Sequence, residues 1–66
     1  MTKEGKFIIY CLEIYKREKN LTGKDVVELF SKADVFNYIL SCYEALHTTG
    51  DLYIVKDLEG FISDSN

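Results

Sequence analysis

The sequence has little of what metal and catalytic sites are usually built from. Its 66 residues include one histidine, His47, and two cysteines, Cys11 and Cys42, which are separated by thirty residues and form no Cys-x-x-Cys pair. One histidine and two distant cysteines do not easily complete a zinc site. Both cysteines lie in apolar runs, so we predict two buried free thiols, with a disulfide or a metal as the alternative.

Glycine is equally sparse, and its placement excludes a common class of nucleotide site. The four glycines stand alone at positions 5, 23, 50 and 60, so the chain has no Gly-rich phosphate loop. It has no nucleophile elbow, and the acidic residues Glu4, Glu13, Glu18 and Glu28 do not converge on one local face. We therefore predict a protein that is not an enzyme and that holds no cofactor and no metal.

Long apolar runs are also missing. The stretch from Phe7 to Leu12 is six residues long, is interrupted by Glu13 and is followed by no small-residue cleavage site. It is too short for the core of a signal peptide and far too short to span a bilayer. We expect a cytoplasmic protein without membrane contact, since free buried cysteines also fit a reducing compartment.

What the sequence does contain is enough apolar material for one small core. The apolar fraction is 47%, with five Tyr and four Phe, and the formal net charge is only −3. Ordinary hydrophobicity and low net charge argue against disorder. The length allows one domain at most, so we predict a single domain over residues 1–66.

The apolar pattern predicts two helices in the first half of the chain. Phe7, Cys11 and Tyr15 recur every four residues, which is the spacing of one helical face and predicts a helix over about 3–19. Asn20 suits a left-handed helix end. Thr22, with Asp25 three residues later, predicts a capped second helix over about 23–32.

The second half predicts a further main helix and a short final one. Asp34 is a good N-cap for a helix over about 35–47, whose apolar face includes Ile39, Cys42, Tyr43 and Leu46. Residues 53–55 are β-prone and are a possible short strand, which would need a partner. A short helix is predicted at about 57–62. The fold class is therefore all-α, a small bundle of three main helices and a short fourth.

Charge is distributed unevenly along the chain. Residues 1–24 carry a formal charge of +3 and residues 25–66 one of −6. Helix dipoles, which favour acidic residues at one helix end and basic residues at the other, would explain this distribution. A surface that binds a charged partner would also explain it. The one basic cluster, at the first turn, supplies candidate partner contacts: Lys16, Arg17, Lys19 and Lys24.

The most distinctive local string is Tyr43-Glu44-Ala45-Leu46-His47-Thr48. His47 falls at the predicted end of the third helix, where its ring can bond a free helix carbonyl. Tyr43 is expected in the core, with its hydroxyl at the rim. The polar side chains of Glu44 and His47 can also face outward, so these two residues are further candidate partner contacts.

This string is followed by Tyr53-Ile54-Val55 and Asp57, and weaker matches extend from Phe7 to Ile62. Together these residues resemble a family of short, uncharacterised bacterial proteins, a domain of unknown function common in gut Firmicutes. Its gene neighbours look like ADP-ribosyltransferase-type proteins, so the resemblance implies an accessory or toxin-antitoxin pairing. The family defines no catalytic residues, and none is carried over to this chain.

These observations favour a non-enzymatic protein-interaction module, and the resemblance implies the small accessory or antitoxin-like partner of a larger bacterial effector. One alternative is a degenerate helix-turn-helix nucleic-acid binder. Nucleic acid is disfavoured as a partner because the predicted third helix has no Lys or Arg and the pI is near 4.9. The other alternative is a self-associating structural protein, a homodimer that completes its core across two copies.

Overall fold

The structure is a computed structural model that describes residues 1–64. These residues form five helices and no strand, which confirms the predicted all-α class. The helices are α1 (Lys3–Lys19), α2 (Gly23–Lys32), α3 (Val35–Ser41), α4 (Tyr43–Leu46) and α5 (Asp51–Asp64).

The first two helices have the predicted bounds because their ends carry strong capping residues. The Thr2 side chain accepts a hydrogen bond from the Gly5 N–H at the start of α1. Asn20 ends this helix in the left-handed conformation, at φ 55°. Thr22 and Asp25 form a complete capping box at the start of α2, so local capping accounts for the bounds of these two helices.

The predicted single helix over 35–47 is wrong in one respect, because it is broken at Cys42 into α3 and α4. Cys42 has φ −106° and ψ 14°, and its carbonyl accepts hydrogen bonds from the N–H groups of both Ala45 and Leu46. The apolar spacing continues through the break, which hides it in the sequence. Cys42 is only half-buried there, whereas Cys11 is fully buried as predicted, and both thiols are free.

The possible strand at 53–55 is wrong, and the helix predicted at 57–62 is confirmed but is longer than predicted, since α5 covers both segments. Ile54, Val55 and Leu58 are all buried, and they lie on one face only if the segment is helical. Burial of that face outweighs the β preference of the string, since tertiary packing routinely overrides local propensity. Gly60 lies inside α5 without ending it.

The core is one cluster to which every helix contributes. Phe30 of α2 is at 0% exposure and contacts the rings of Tyr15 and Phe36, with centroids 5.2 and 5.8 Å away in edge-on geometry. Helix α1 packs against α2, α3 and α5. The buried side chains are Cys11, Ile14, Tyr15, Val26, Phe30, Val35, Ile39, Leu46, Ile54, Val55 and Leu58.

Candidate functional site

The basic cluster predicted as a contact surface is largely occupied by acidic groups of the same chain. Lys16 pairs with Glu13, one turn earlier in α1, at 3.5 Å. Arg17 crosses to Asp51 at the start of α5, at 3.3 Å.

Further along the same two helices, Lys19 pairs with Glu59. Lys24 has no ion pair with any residue in the described part, 1–64. The cations at the end of α1 and the acids of α5 therefore compensate each other, and the cluster does not form a free basic face.

Asp51 joins α5 to α1 through two different side chains. The Tyr10 hydroxyl donates a hydrogen bond to Asp51 Oδ1, and Arg17 donates to Oδ2. The hydrogen bond to this carboxylate raises the pKa of Tyr10, because it favours the protonated hydroxyl, and the negative charge of Asp51 raises the pKa further. Tyr10 therefore stays a neutral donor, with 44% of its surface exposed.

Beside this contact, four rings form a continuous surface that we call the aromatic row: Tyr10, Phe7, Tyr43 and His47. The Tyr10 and Phe7 rings stack with centroids 6.3 Å apart. Phe7 meets Tyr43 edge-on at 5.4 Å, with an interplanar angle of 87°. Tyr43 and His47 stack at 4.4 Å, nearly parallel at 2°. The row thus joins α1 to α4 and its C-cap.

The break at Cys42 places the second half of this row. Tyr43 therefore begins α4 and does not continue α3. It is half-buried against Phe7 instead of lying in the core as predicted. His47 Nδ1 donates to the Tyr43 carbonyl oxygen at 2.7 Å, so the prediction of a ring bonded to a helix carbonyl is confirmed. Thr48 Oγ1 donates to the Ala45 carbonyl at 3.0 Å and closes the turn.

Of the six predicted contact residues, the structure places Glu44 and His47 exposed at α4, and His47 within the row. Phe7 and Tyr10 are not among the predicted site residues, because the apolar residues of α1 were assigned to the core and only the basic residues at its end to a contact surface. A signal was present: Lys3, Lys6, Phe7 and Tyr10 follow the i, i+3, i+4, i+7 spacing of one helix face.

The half-buried Tyr38 hydroxyl and the buried Cys11 thiol have structural explanations. The Tyr38 hydroxyl donates to Asp57 Oδ2 at 2.6 Å, and its ring stacks on Phe61 at 4.0 Å. The hydrogen bond to this carboxylate raises the pKa of Tyr38. Burial raises the pKa of the Cys11 thiol to about 12, which makes it a poor nucleophile at neutral pH. Residues 1–64 contain no group of three or more His, Cys, Asp or Glu side chains suited to a metal ion.

Comparison with known protein families gives a match over most of the chain. A family model described as "Protein of unknown function (DUF3791)" matches residues 6–65. Neither the curated proteins nor the solved structures include a match to this chain. Within the described residues, no helix combines the length and the apolar character needed to cross a membrane.

Proposed function

Because the chain belongs to the DUF3791 family, whose function is unknown, we propose its function from its surface: it is a non-enzymatic protein-interaction module. In this proposal it is the small accessory, antitoxin-like partner of a larger bacterial effector, and it acts in the cytoplasm by occlusion or scaffolding. Two free thiols, Cys11 and Cys42, suit a reducing compartment.

The observation that carries the proposal is the exposure of the aromatic row. Interface cores are enriched in aromatic residues, and Tyr is among the residues that most often dominate binding energy. Phe7 and Tyr43 are half-buried, while Tyr10 and His47 are exposed. Rings that already contact one another lose little side-chain entropy when a partner covers them, so the row is a pre-ordered surface.

The electrostatics support a protein over a nucleic acid as the partner. Nucleic-acid affinity depends on cations that neutralise phosphates. Lys16, Arg17 and Lys19 each pair with a carboxylate of the same chain, and α3 has neither Lys nor Arg. A helix-turn-helix use of α2 and α3 would therefore need these pairs to break first.

The test is capture of partners from native host lysate with the tagged full-length chain, with and without nuclease. We expect a stoichiometric protein that survives nuclease, is lost with Tyr43→Ala and is kept with Tyr53→Ala. Tyr53 is a matched control because it is a tyrosine on α5, outside the row, and 60% exposed. Circular dichroism of both variants checks that the helices are intact.

Two other results of the capture experiment would contradict the proposal and indicate a different function. Retention of DNA or RNA that nuclease removes would contradict the proposal in favour of nucleic-acid binding. Recovery of the tagged chain's own untagged copy alone, together with a mass that rises with concentration, would establish the homodimer instead.

A further inference from the structure

We propose that the aromatic row, with Lys3 and Lys6 beside it, binds an acidic, apolar-bearing segment of the partner protein. This inference rests on the proposed function and specifies the chemistry of the partner. It requires that the row be accessible, that its charge differ from that of the whole chain and that the chain itself offer no equivalent segment.

The geometry places both lysines next to the rings. Lys3, Lys6, Phe7 and Tyr10 occupy one face of α1 through their helical spacing. The Lys3 ammonium lies 5.7 Å from the centroid of the Tyr43 ring, within cation–π range. A segment that contacts the rings would therefore have both ammonium groups within reach of its side chains.

The local charge is opposite in sign to that of the molecule. The chain carries a net −3, yet neither Lys3 nor Lys6 has an ion pair with residues 1–64. Asp51, which contacts the row through Tyr10, is already compensated by Arg17. Glu44 is the only acidic residue in α4 and Glu4 is the only one in the first turn of α1, but neither belongs to the face of α1 that Lys3 and Lys6 share with the rings, so the charge on that face is positive.

This local excess favours carboxylates on the partner, since complementary charge around an interface steers association and rejects wrong partners. The rings favour aliphatic or aromatic side chains between those carboxylates, because the apolar area they cover is the main source of affinity. An acidic segment with interspersed apolar residues satisfies both requirements.

A second copy of the chain does not supply such a segment well. The acids of α5 closest to the row and to the end of α1 are Asp51 and Glu59, and both are already paired within the chain. A homodimer that used these two acids to cover the row would have to break both pairs. The observations therefore favour a different protein as the occupant.

The experiment is a titration of the isotope-labelled full chain with two synthetic amphipathic peptides, followed by amide resonances. One peptide has leucines on one face and glutamates on the other, and the matched peptide has lysine in place of every glutamate. We expect the glutamate peptide to shift the resonances of α1 around Phe7 and Tyr10 and of α4. We expect the lysine peptide to leave them unchanged.

Two double variants test the role of the lysines. Lys3→Ala with Lys6→Ala should weaken binding of the glutamate peptide about fivefold, as loss of two exposed charge contacts does. Lys32→Ala with Lys56→Ala removes the same charge from exposed positions on α2 and α5 and should leave the affinity within about twofold.

Equal binding of both peptides, shifts confined to other helices or no binding would overturn the inference. Larger shifts of the same resonances with inorganic polyphosphate would overturn it in favour of a phosphate ligand, and shifts on concentration of the chain alone would do so in favour of self-association. A partner captured through Tyr43 that tolerates loss of Lys3 and Lys6 would leave the proposed function standing and refute this inference.

Discussion

At the scale of single residues, the two cysteines show how position decides chemistry. Cys11 lies on the inner face of α1 at 0% exposure, where burial raises the pKa of its thiol to about 12. Cys42 lies at the break between α3 and α4 and is half-buried. The apolar spacing of α1 was sufficient to predict the first environment. The second depends on a change of backbone direction that the same spacing does not reveal.

The raised pKa of Cys11 predicts that alkali destabilises the fold. The folded thiol keeps its proton above the ordinary pKa of 9.0, whereas the unfolded thiol loses it there. The free energy of unfolding should therefore fall as pH rises from about 9 towards about 12. Urea titrations at several pH values check this, and Cys11→Ala should reduce the slope between about pH 9 and about pH 10.

Val26→Ala is the control, because it also shortens a fully buried side chain but removes no titratable group, and it should leave that slope unchanged. The pKa values of Tyr10, Tyr15 and Tyr38 are also raised, so these tyrosines add to the loss above about pH 10 in all variants. An identical slope for the parent and for Cys11→Ala would show that the Cys11 thiol is not shielded from water.

At the scale of elements, the ends of α1 and α2 and the start of α3 were predictable, whereas the end of α3 and the bounds of α5 were not. The first two helices end at local signals, Asn20 and the Thr22 and Asp25 capping box, which act within one turn. Helix α5 forms because its buried face fits against α1 and α3. The local sequence of residues 53–55 does not predict that contact. The aromatic row was missed for the same reason, since it depends on Phe7 meeting Tyr43 across two helices.

The orientation of α3 gives a paired prediction on adjacent residues. Ile39 is at 0% exposure and its neighbour Leu40 is at 47%. Ile39→Ala should lower the free energy of unfolding by roughly 2–5 kcal/mol, since it removes buried methyl groups and leaves a cavity. Leu40→Ala should cost about 0.5 kcal/mol, as exposed substitutions usually do.

Thermal melts of both variants by circular dichroism measure the difference. Ile39→Ala can prevent folding altogether, because a domain of this size has few kcal/mol of stability in total. Melting of Leu40→Ala below Ile39→Ala would mean that α3 presents the opposite face to the core.

At the scale of the whole molecule, much of the charge asymmetry of the sequence is compensated by ion pairs within the fold. The sequence shows that the first part is basic and the second acidic, but not where the two meet. In the structure they meet along α1 and α5, through Arg17 with Asp51 and Lys19 with Glu59. The free cations are elsewhere, and Lys3 and Lys6 beside the aromatic row were not among the predicted contacts.

This arrangement predicts a measurable coupling between residues 34 positions apart. A double-mutant cycle of Arg17→Ala and Asp51→Ala should give a coupling free energy of about 0.2–1 kcal/mol, because exposed ion pairs contribute little. Guanidinium would screen the pair, so urea unfolding is the appropriate measurement.

Lys24→Ala with Asp51→Ala is the matched cycle, since Lys24 has no ion pair with residues 1–64. Its coupling should be zero within error. A coupling in this control as large as that of Arg17 with Asp51 would show that net charge, and not the contact, sets the stability.

The contacts between α1 and α5 also affect when the chain can fold during its synthesis. The side-chain contacts between them span 34 to 41 residues, whereas α1 and α2 are neighbours that a three-residue turn connects. Contacts that close long loops form late, because chain entropy opposes them until other contacts hold the ends together. A nascent chain without α5 lacks the core residues Ile54, Val55 and Leu58. We therefore expect the chain to fold stably only after α5 has emerged from the ribosome.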